Sequence, residues 1–311
     1  MDIHHHHHHH HNHAHEPVVN DQNGRRYGVA IALNLLFVII EIGFGLHADS
    51  LSLLSDAGHN FSDVIGLFAA WGAMTLAKRV PTPRFTYGLR SSTILAALAN
   101  AMLLLIAVGG VGWEAIQRLA HPQAVNGHVI IAVALIGVAI NIGTALMLMR
   151  GNAHDLNQRG AFIHMLSDAV VSLGVAGGGW LVLSTGWLWL DPAISLVIAL
   201  LILMGTWGLF KQSFRLALQA VPDRIDPGAV REFLLGLVPV AAVHDLHVWG
   251  MSTTENALTV HLMTPNGHPG DGFLHDVAEE LAHHFYIQHT TIQIELGDDK
   301  RVCPLASNEV V

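Results

Sequence analysis

The sequence predicts an all-α bundle of six transmembrane helices followed by a small α+β domain, and three observations carry that prediction. Six apolar stretches recur between residues 25 and 212, each near the length of about 20 residues that crosses a bilayer. Charge is scarce: 13% of residues are Asp, Glu, Lys or Arg and 51% are hydrophobic, whereas a soluble domain is about 25% charged. Beyond Arg215 the apolar runs give way to short alternating and amphipathic segments separated by Pro, Gly and Asp.

Taken in order, residues 1–24 form a His-rich tail, with His4 to His11 unbroken and His13 and His15 after it. Two readings stand side by side: a purification tag, or a native metal-collecting segment. The six spans fall near 27–46, 51–77, 92–117, 127–149, 158–183 and 189–210. Lys and Arg set their direction. Arg25, Arg26, Lys78, Arg79, Arg84, Arg90, Arg150, Arg159, Lys211 and Arg215 collect on one side, and Arg118 is on the other. Both termini are therefore expected in the cytoplasm, with Trp187 and Trp189 at the outer interface. Glu114 and Arg118 have the i,i+4 spacing of a helical ion pair. His47 and Asp49 read as solvated loop residues, and Asn34, Glu41, Asn100 and Asn141 as interhelical hydrogen-bonding groups.

Residues 213–297 read as the cytoplasmic domain. Asp226-Pro227 suits a helix start, with the helix running to about Leu237. His244–Gly250 and Ala257–Met263 read as antiparallel strands, Asp271–Phe285 as an amphipathic helix, and Thr290–Leu296 as a last strand. The tail 298–311 has no period. It holds the one cysteine, Cys303, so no intrachain disulfide can form, and any metal site is expected to use His, Asp and Glu.

The chemistry is concentrated in two spans. His59 and Asp63, then His164 and Asp168, are each four residues apart and so share a helix face. Ionisable groups inside the membrane mark function by default. Two such faces supply two imidazole nitrogens and two carboxylates, the donor count of a tetrahedral Zn²⁺ site. The carboxylates offset dehydration of the ion, and the nitrogens favour Zn²⁺ over Mg²⁺ or Ca²⁺. Protons bind the same four groups, so a metal must displace them. Asp63 and Asp168 are expected at similar depth near the midplane. Asp56, one turn before His59, reads as a helix-start residue or a support for the site.

The stretch Ser50-Leu-Ser-Leu-Leu-Ser-Asp-Ala-Gly-His-Asn-Phe-Ser-Asp63 resembles the second-helix signature of the cation diffusion facilitator family, zinc-transporting branch. Gly160-Ala-Phe-Ile-His-Met-Leu-Ser-Asp168 resembles its fifth-helix partner, and Gly186–Pro192 the approach to the sixth helix. His244-Asp-Leu-His-Val-Trp249 and Thr290–Glu295 resemble the family's cytoplasmic domain. The resemblance covers about residues 25–297. It implies a homodimeric metal/proton antiporter with a ferredoxin-like, metallochaperone-like cytoplasmic domain. His59, Asp63, His164 and Asp168 would be the transport ligands, and His244, His261 and Glu295, with His247 beside them, a second zinc site with a regulatory role. Two departures stand out. The loop Pro81–Gly88 has no His or Asp, and position 293, where some relatives carry His, is Gln293.

The expected function is export of Zn²⁺ in exchange for H⁺, with Cd²⁺ and Co²⁺ as further ions. The setting is a bacterial cytoplasmic (inner) membrane, and no nucleic-acid partner is expected because no basic block occurs. A membrane zinc hydrolase would need an open coordination position and a general base; no His-Glu-x-x-His occurs, and no catalytic residue is expected. A metal sensor with the soluble domain as output would be the other rival.

Overall fold

A computed structural model describes residues 21–149 and 156–297, together with 303 and 305. The His run lies outside these residues. The helices are α1 (Asp21–His47), α2 (Leu51–Ala77), α3 (Ser92–Ala120), α4 (Gly127–Met149), α5 (Leu156–Thr185) and α6 (Leu190–Ala217). Among the described residues, α3, α6, Gly127–Met147 of α4 and Met165–Thr185 of α5 are long and apolar enough to cross a membrane. The apolar part of α1 is the shorter Ala32–His47. The middle of α2 is diluted by Ser55, Asp56, His59, Asn60, Ser62 and Asp63.

α2 packs against α1, α3, α5 and α6, which is why its polar groups meet other helices. Phe37, Leu53, Val108, Ile130, Val133, Val175 and Ile198 form the shared apolar core. α4 and α5 approach closely through glycine. A Cβ at Gly179 would stand 2.8 Å from Ile130 Cγ2, and α4 meets α1 in the same way, a Cβ at Gly137 standing 2.5 Å from Phe37 Cζ. Small residues permit such backbone approach, which drives packing where lipid removes the hydrophobic incentive.

The start of α2 is capped from another helix. Asp191, on the first turn of α6 and 2% exposed, accepts four hydrogen bonds. They come from Ser50 Oγ at 2.7 Å, Leu51 N at 2.8 Å, Ser52 N at 3.3 Å and Ser52 Oγ at 2.5 Å. The first amides of a helix lack internal partners, and a carboxylate there also complements the helix dipole. Ser55 and Ser195 join the same two helices one turn further on, at 2.6 Å. At this end of the bundle Arg118 bonds Glu114 at 3.0 Å, as its spacing suggested, and also Asp49 at 2.8 Å. Asp49 is exposed, as expected of a loop residue, and the α1–α2 turn also brings it to the end of α3.

The remaining chain forms α7 (Pro227–Leu235), β1 (Ala242–Gly250), β2 (Asn256–Met263), α8 (Asp271–Phe285) and β3 (His289–Glu295). Asp226 caps α7 by accepting from Gly228 N at 2.8 Å. β1 and β2 are antiparallel, while β3 returns through α8 to lie parallel to β2, giving the order β1-β2-β3. Val230, Leu234, Val243, Leu258, Leu262 and Leu281 bury the helices on one sheet face. This domain meets the bundle at the start of α3. Arg90 Nη1 lies 2.6 Å from Glu255 Oε2, Ser91 Oγ donates to Met251 O, and Thr253 N donates to Thr93 Oγ1.

Candidate metal centres

His59, Asp63 and Asp168 come together in the bundle. Their donor atoms all lie within 4.8 Å of one another. His59 Nε2 stands 3.8 Å from Asp63 Oδ2 and 3.4 Å from Asp168 Oδ1. Ligands of a tetrahedral zinc site, at about 2.0–2.3 Å from the ion, are about 3.3–3.8 Å apart, so these groups already have the spacing of a ligand set. Asp168 is 2% exposed, and a lone buried carboxylate is costly.

Depth differs from the sequence expectation by one turn. α2 and α5 run antiparallel, with Asp56 beside Ser172 and His59 beside Asp168. Asp168 is thus level with His59, not with Asp63. The same register, carried four residues along each helix, brings position 164 level with Asp63. Residue 164 belongs to α5, and its side chain lies outside the described residues.

A layer of buried polar groups that the sequence reading did not connect sits one turn away, toward the α1–α2 turn. Glu41, Asp56 and Ser172 are each 0% exposed. Ser172 Oγ donates to Asp56 Oδ2 at 2.8 Å, and Asn60 Nδ2 donates to Glu41 Oε2 at 3.3 Å. Asn141 on α4 is also fully buried, and neither of its amide atoms has a partner among the described residues. The available signal was one acidic residue in each of two adjacent spans; the contact between them depends on helix register.

The second centre spans all three strands. His244 and His261 are register partners on β1 and β2, and Met263 pairs with Glu295 on β3. Parallel return of β3 therefore delivers Glu295 to the two imidazoles. His244 Nε2 lies 3.2 Å from Glu295 Oε2, and His261 Nδ1 lies 3.1 Å from Glu295 Oε1. His244 Nε2 is buried and, despite that proximity, has no aligned hydrogen bond among the described residues. Cys303 Sγ lies 3.6 Å from His261 Nδ1, and the four donors fall within 4.8 Å.

The sequence reading left sulfur out of any metal site, and the Cys303 thiol lies against the sheet beside His261. The set His₂-Glu-Cys again has zinc-like spacing. Partial burial pushes the Glu295 carboxyl up, but hydrogen bonds with Cys303 and Gln293 and the nearby His244 and His261 outweigh it and hold it below the usual carboxylate range. His247 is not in this set. It bonds Asp245 at 2.8 Å, and Asp245 also approaches His261 Nε2 at 3.4 Å. Asp245 takes φ of 50° at a register shift in β1, a bulge that turns its side chain between the two histidines. His283 and His284 are exposed and paired with Glu279 and Glu280 on α8.

Comparison with known proteins agrees with both halves of the fold. Residues 28–216 match a family model described as the cation efflux transmembrane domain, and residues 222–296 match that of the cation efflux protein cytoplasmic domain. The chain is 36% identical over 276 residues to the cation efflux system protein CzcD of Alcaligenes sp. (strain CT14), covering 88% of this chain and 87% of the relative. It is 35% identical over 279 residues to the zinc transporter ZitB of Yersinia pestis, covering 88% of each. It is 33% identical over 264 residues to a cadmium, cobalt and zinc/H(+)-K(+) antiporter of Bacillus subtilis (strain 168), covering 83% of this chain and 85% of the relative.

Proposed function

We propose, for a chain that belongs to the cation efflux family, that it exports Zn²⁺ from the cytoplasm in exchange for H⁺. The observation that carries this reading is the cluster of His59, Asp63 and Asp168 in the interior of the bundle, at spacings that suit zinc. His164 would complete the set as the fourth ligand. The relatives support metal efflux: ZitB is named a zinc transporter, and the Bacillus protein a cadmium, cobalt and zinc antiporter. Cd²⁺ and Co²⁺ also tolerate mixed nitrogen and oxygen donors. The activity is transport rather than catalysis.

In this reading all six helices, α1 to α6, span the membrane. Polar groups dilute α2, and they face α1, α5 and α6 rather than lipid. The basic residues at the α2–α3 and α4–α5 connections support cytoplasmic termini, and the membrane in this reading is a bacterial inner membrane. Residues 25–212 are the membrane domain and 213–297 the cytoplasmic domain, flanked by tails at 1–24 and 298–311. The protein works as a homodimer, consistent with a cytoplasmic domain whose family designation is that of a dimer domain. Zinc at His244, His261, Glu295 and Cys303 is regulatory.

The sign of the proton effect follows from the donors. A protonated imidazole must lose its proton to bind metal. Zinc affinity is therefore greatest at high pH and falls as pH drops, by about tenfold per unit for each proton displaced. Zinc flux in proteoliposomes, measured with and without an imposed pH gradient and with residues 1–15 deleted, tests the reading. Acceleration by inward protons is expected; a flux indifferent to the gradient would leave a passive facilitator. No zinc flux at all would remove transport.

The regulatory site has its own check. In full-length protein with the membrane site disabled by Asp168→Ala, zinc titration should report the cytoplasmic site alone. Cys303→Ser and Glu295→Ala should each weaken that binding by more than the about tenfold typical of losing an outer partner. Cys303→Ser binding at the undiminished affinity would remove the thiol from the set.

A further inference from the structure

Glu41 and Asp56 present a chemical problem that the metal site does not solve. Both carboxyls are fully buried, and among the described residues no Lys or Arg forms an ion pair with either. Each has one oxygen satisfied: Glu41 Oε2 by Asn60 and Asp56 Oδ2 by Ser172. The remaining oxygens, Glu41 Oε1 and Asp56 Oδ1, are buried with no donor among the described residues, and the two carboxyls are close enough to interact directly. Two carboxylates cannot hydrogen-bond without a proton between them, and two adjacent buried negative charges are strongly disfavoured. One shared proton satisfies both orphan oxygens and removes one charge.

We infer that the Glu41–Asp56 carboxyl pair is a proton-binding site, separate from the metal ligands, that carries one of the protons exchanged for zinc. The inference rests on the antiport reading. The pair occupies α1 and α2, one turn from His59 toward the α1–α2 turn. The groups facing it are few. α2 adds His59, with Asp63 a turn beyond, and α5 adds Ser172 and Asp168. α4 offers no titratable side chain at this level, only the uncharged Asn141 and Thr144 deeper in the bundle. α6 contributes Asp191, already engaged by the start of α2; α3 contributes Glu114 and Arg118 at the same end of the bundle, where Arg118 is engaged by Glu114 and Asp49.

The step balances simply. A dication arriving beside His59 and Asp168 disfavours the shared proton through the low dielectric between them. One O–H bond breaks, H⁺ leaves to water, and the pair becomes two carboxylates that the ion's charge stabilises. When zinc departs on the other side, the pair takes a proton from that side. No electron moves. A pair that holds a proton only while the metal site is empty couples the two cargoes without sharing ligands.

The test uses the full chain with residues 1–15 deleted. Protons released per zinc bound are measured by a pH dye in weak buffer, and zinc–zinc exchange and gradient-driven flux are measured in proteoliposomes. Glu41→Gln and Asp56→Asn should each release about one proton fewer per zinc and lose acceleration by a pH gradient, while zinc–zinc exchange persists. Wild-type proton release and gradient response in both variants would overturn the inference. Wild-type protein that binds zinc without releasing protons would instead remove the antiport reading itself, a distinguishable failure. Should the variants not fold, infrared difference spectra of the wild type decide. A protonated-carboxyl band that disappears on zinc binding supports the pair, and its absence from zinc-free protein overturns it.

Discussion

Asp168→Ala and Asp63→Ala are expected to abolish zinc flux while leaving an inserted, folded protein. Each deletes a carboxylate from a cluster whose donor atoms all lie within 4.8 Å. Two unit charges about 4 Å apart attract by about 4 kcal/mol at an effective dielectric near 20, and a dication at ligand distance gains more. Loss of that attraction corresponds to at least about a thousandfold in occupancy. Asp168, at 2% exposure, has no water to replace it, so its loss should be the more severe. Asp168→Asn separates charge from shape: it keeps an oxygen donor, and should still fail because the ion's charge goes uncompensated. Zinc uptake into proteoliposomes reads the effect, and thermal melting in detergent confirms the fold. Flux at the wild-type rate in either alanine variant would remove that residue from the site.

Asp191→Ala should be equally damaging by a different route, through the fold. It removes the acceptor of the Leu51 and Ser52 amides and of the Ser50 and Ser52 hydroxyls at one stroke, leaving the two hydroxyls, among the described residues, only each other to donate to at 3.1 Å. Each buried group left unsatisfied costs about 1–3 kcal/mol, and the sum approaches the about 5–15 kcal/mol that stabilises a typical protein. The variant should therefore melt far below the wild type, with flux lost in proportion to folded protein. Asp191→Asn keeps one acceptor oxygen but turns an amide toward donors, and should fall between. A melting temperature for Asp191→Ala equal to the wild type would show that water serves the helix start equally well.

These two residues also mark what a sequence can and cannot disclose. The nearness of His59 to Asp63 was readable because i and i+4 on one helix are neighbours whatever the helix packs against. The long apolar runs of α3, α4 and α6 were readable for a similar reason, since length and composition are local. The alternation of β1 and β2 and the amphipathic face of α8 fixed the order of elements in the small domain. Asp191 capping α2, and Glu41 meeting Asp56, depend instead on the register between helices far apart in sequence, which no local pattern encodes. The same holds for the depth of Asp168 relative to Asp63, which the register sets one turn from the sequence expectation. Cys303 was missed because a tail without period gives no direction, and only the return of β3 beside β2 shows where that tail begins. Asp245 was missed because a bulge breaks the alternation that would have assigned its side.

Asp191 and the Ser55–Ser195 contact tie α2 to α6 by hydrogen bonds at one end of the pair. That end acts as a pivot pin, and the rest of α2 is a lever arm. Asp63 stands twelve residues beyond Leu51, about 18 Å along the axis. A tilt of about 10° about the pin displaces Asp63 by about 3 Å, more than a metal–oxygen bond length, while the pinned amides barely shift. A small swing at the far end is thus enough to assemble or dismantle the cargo cradle.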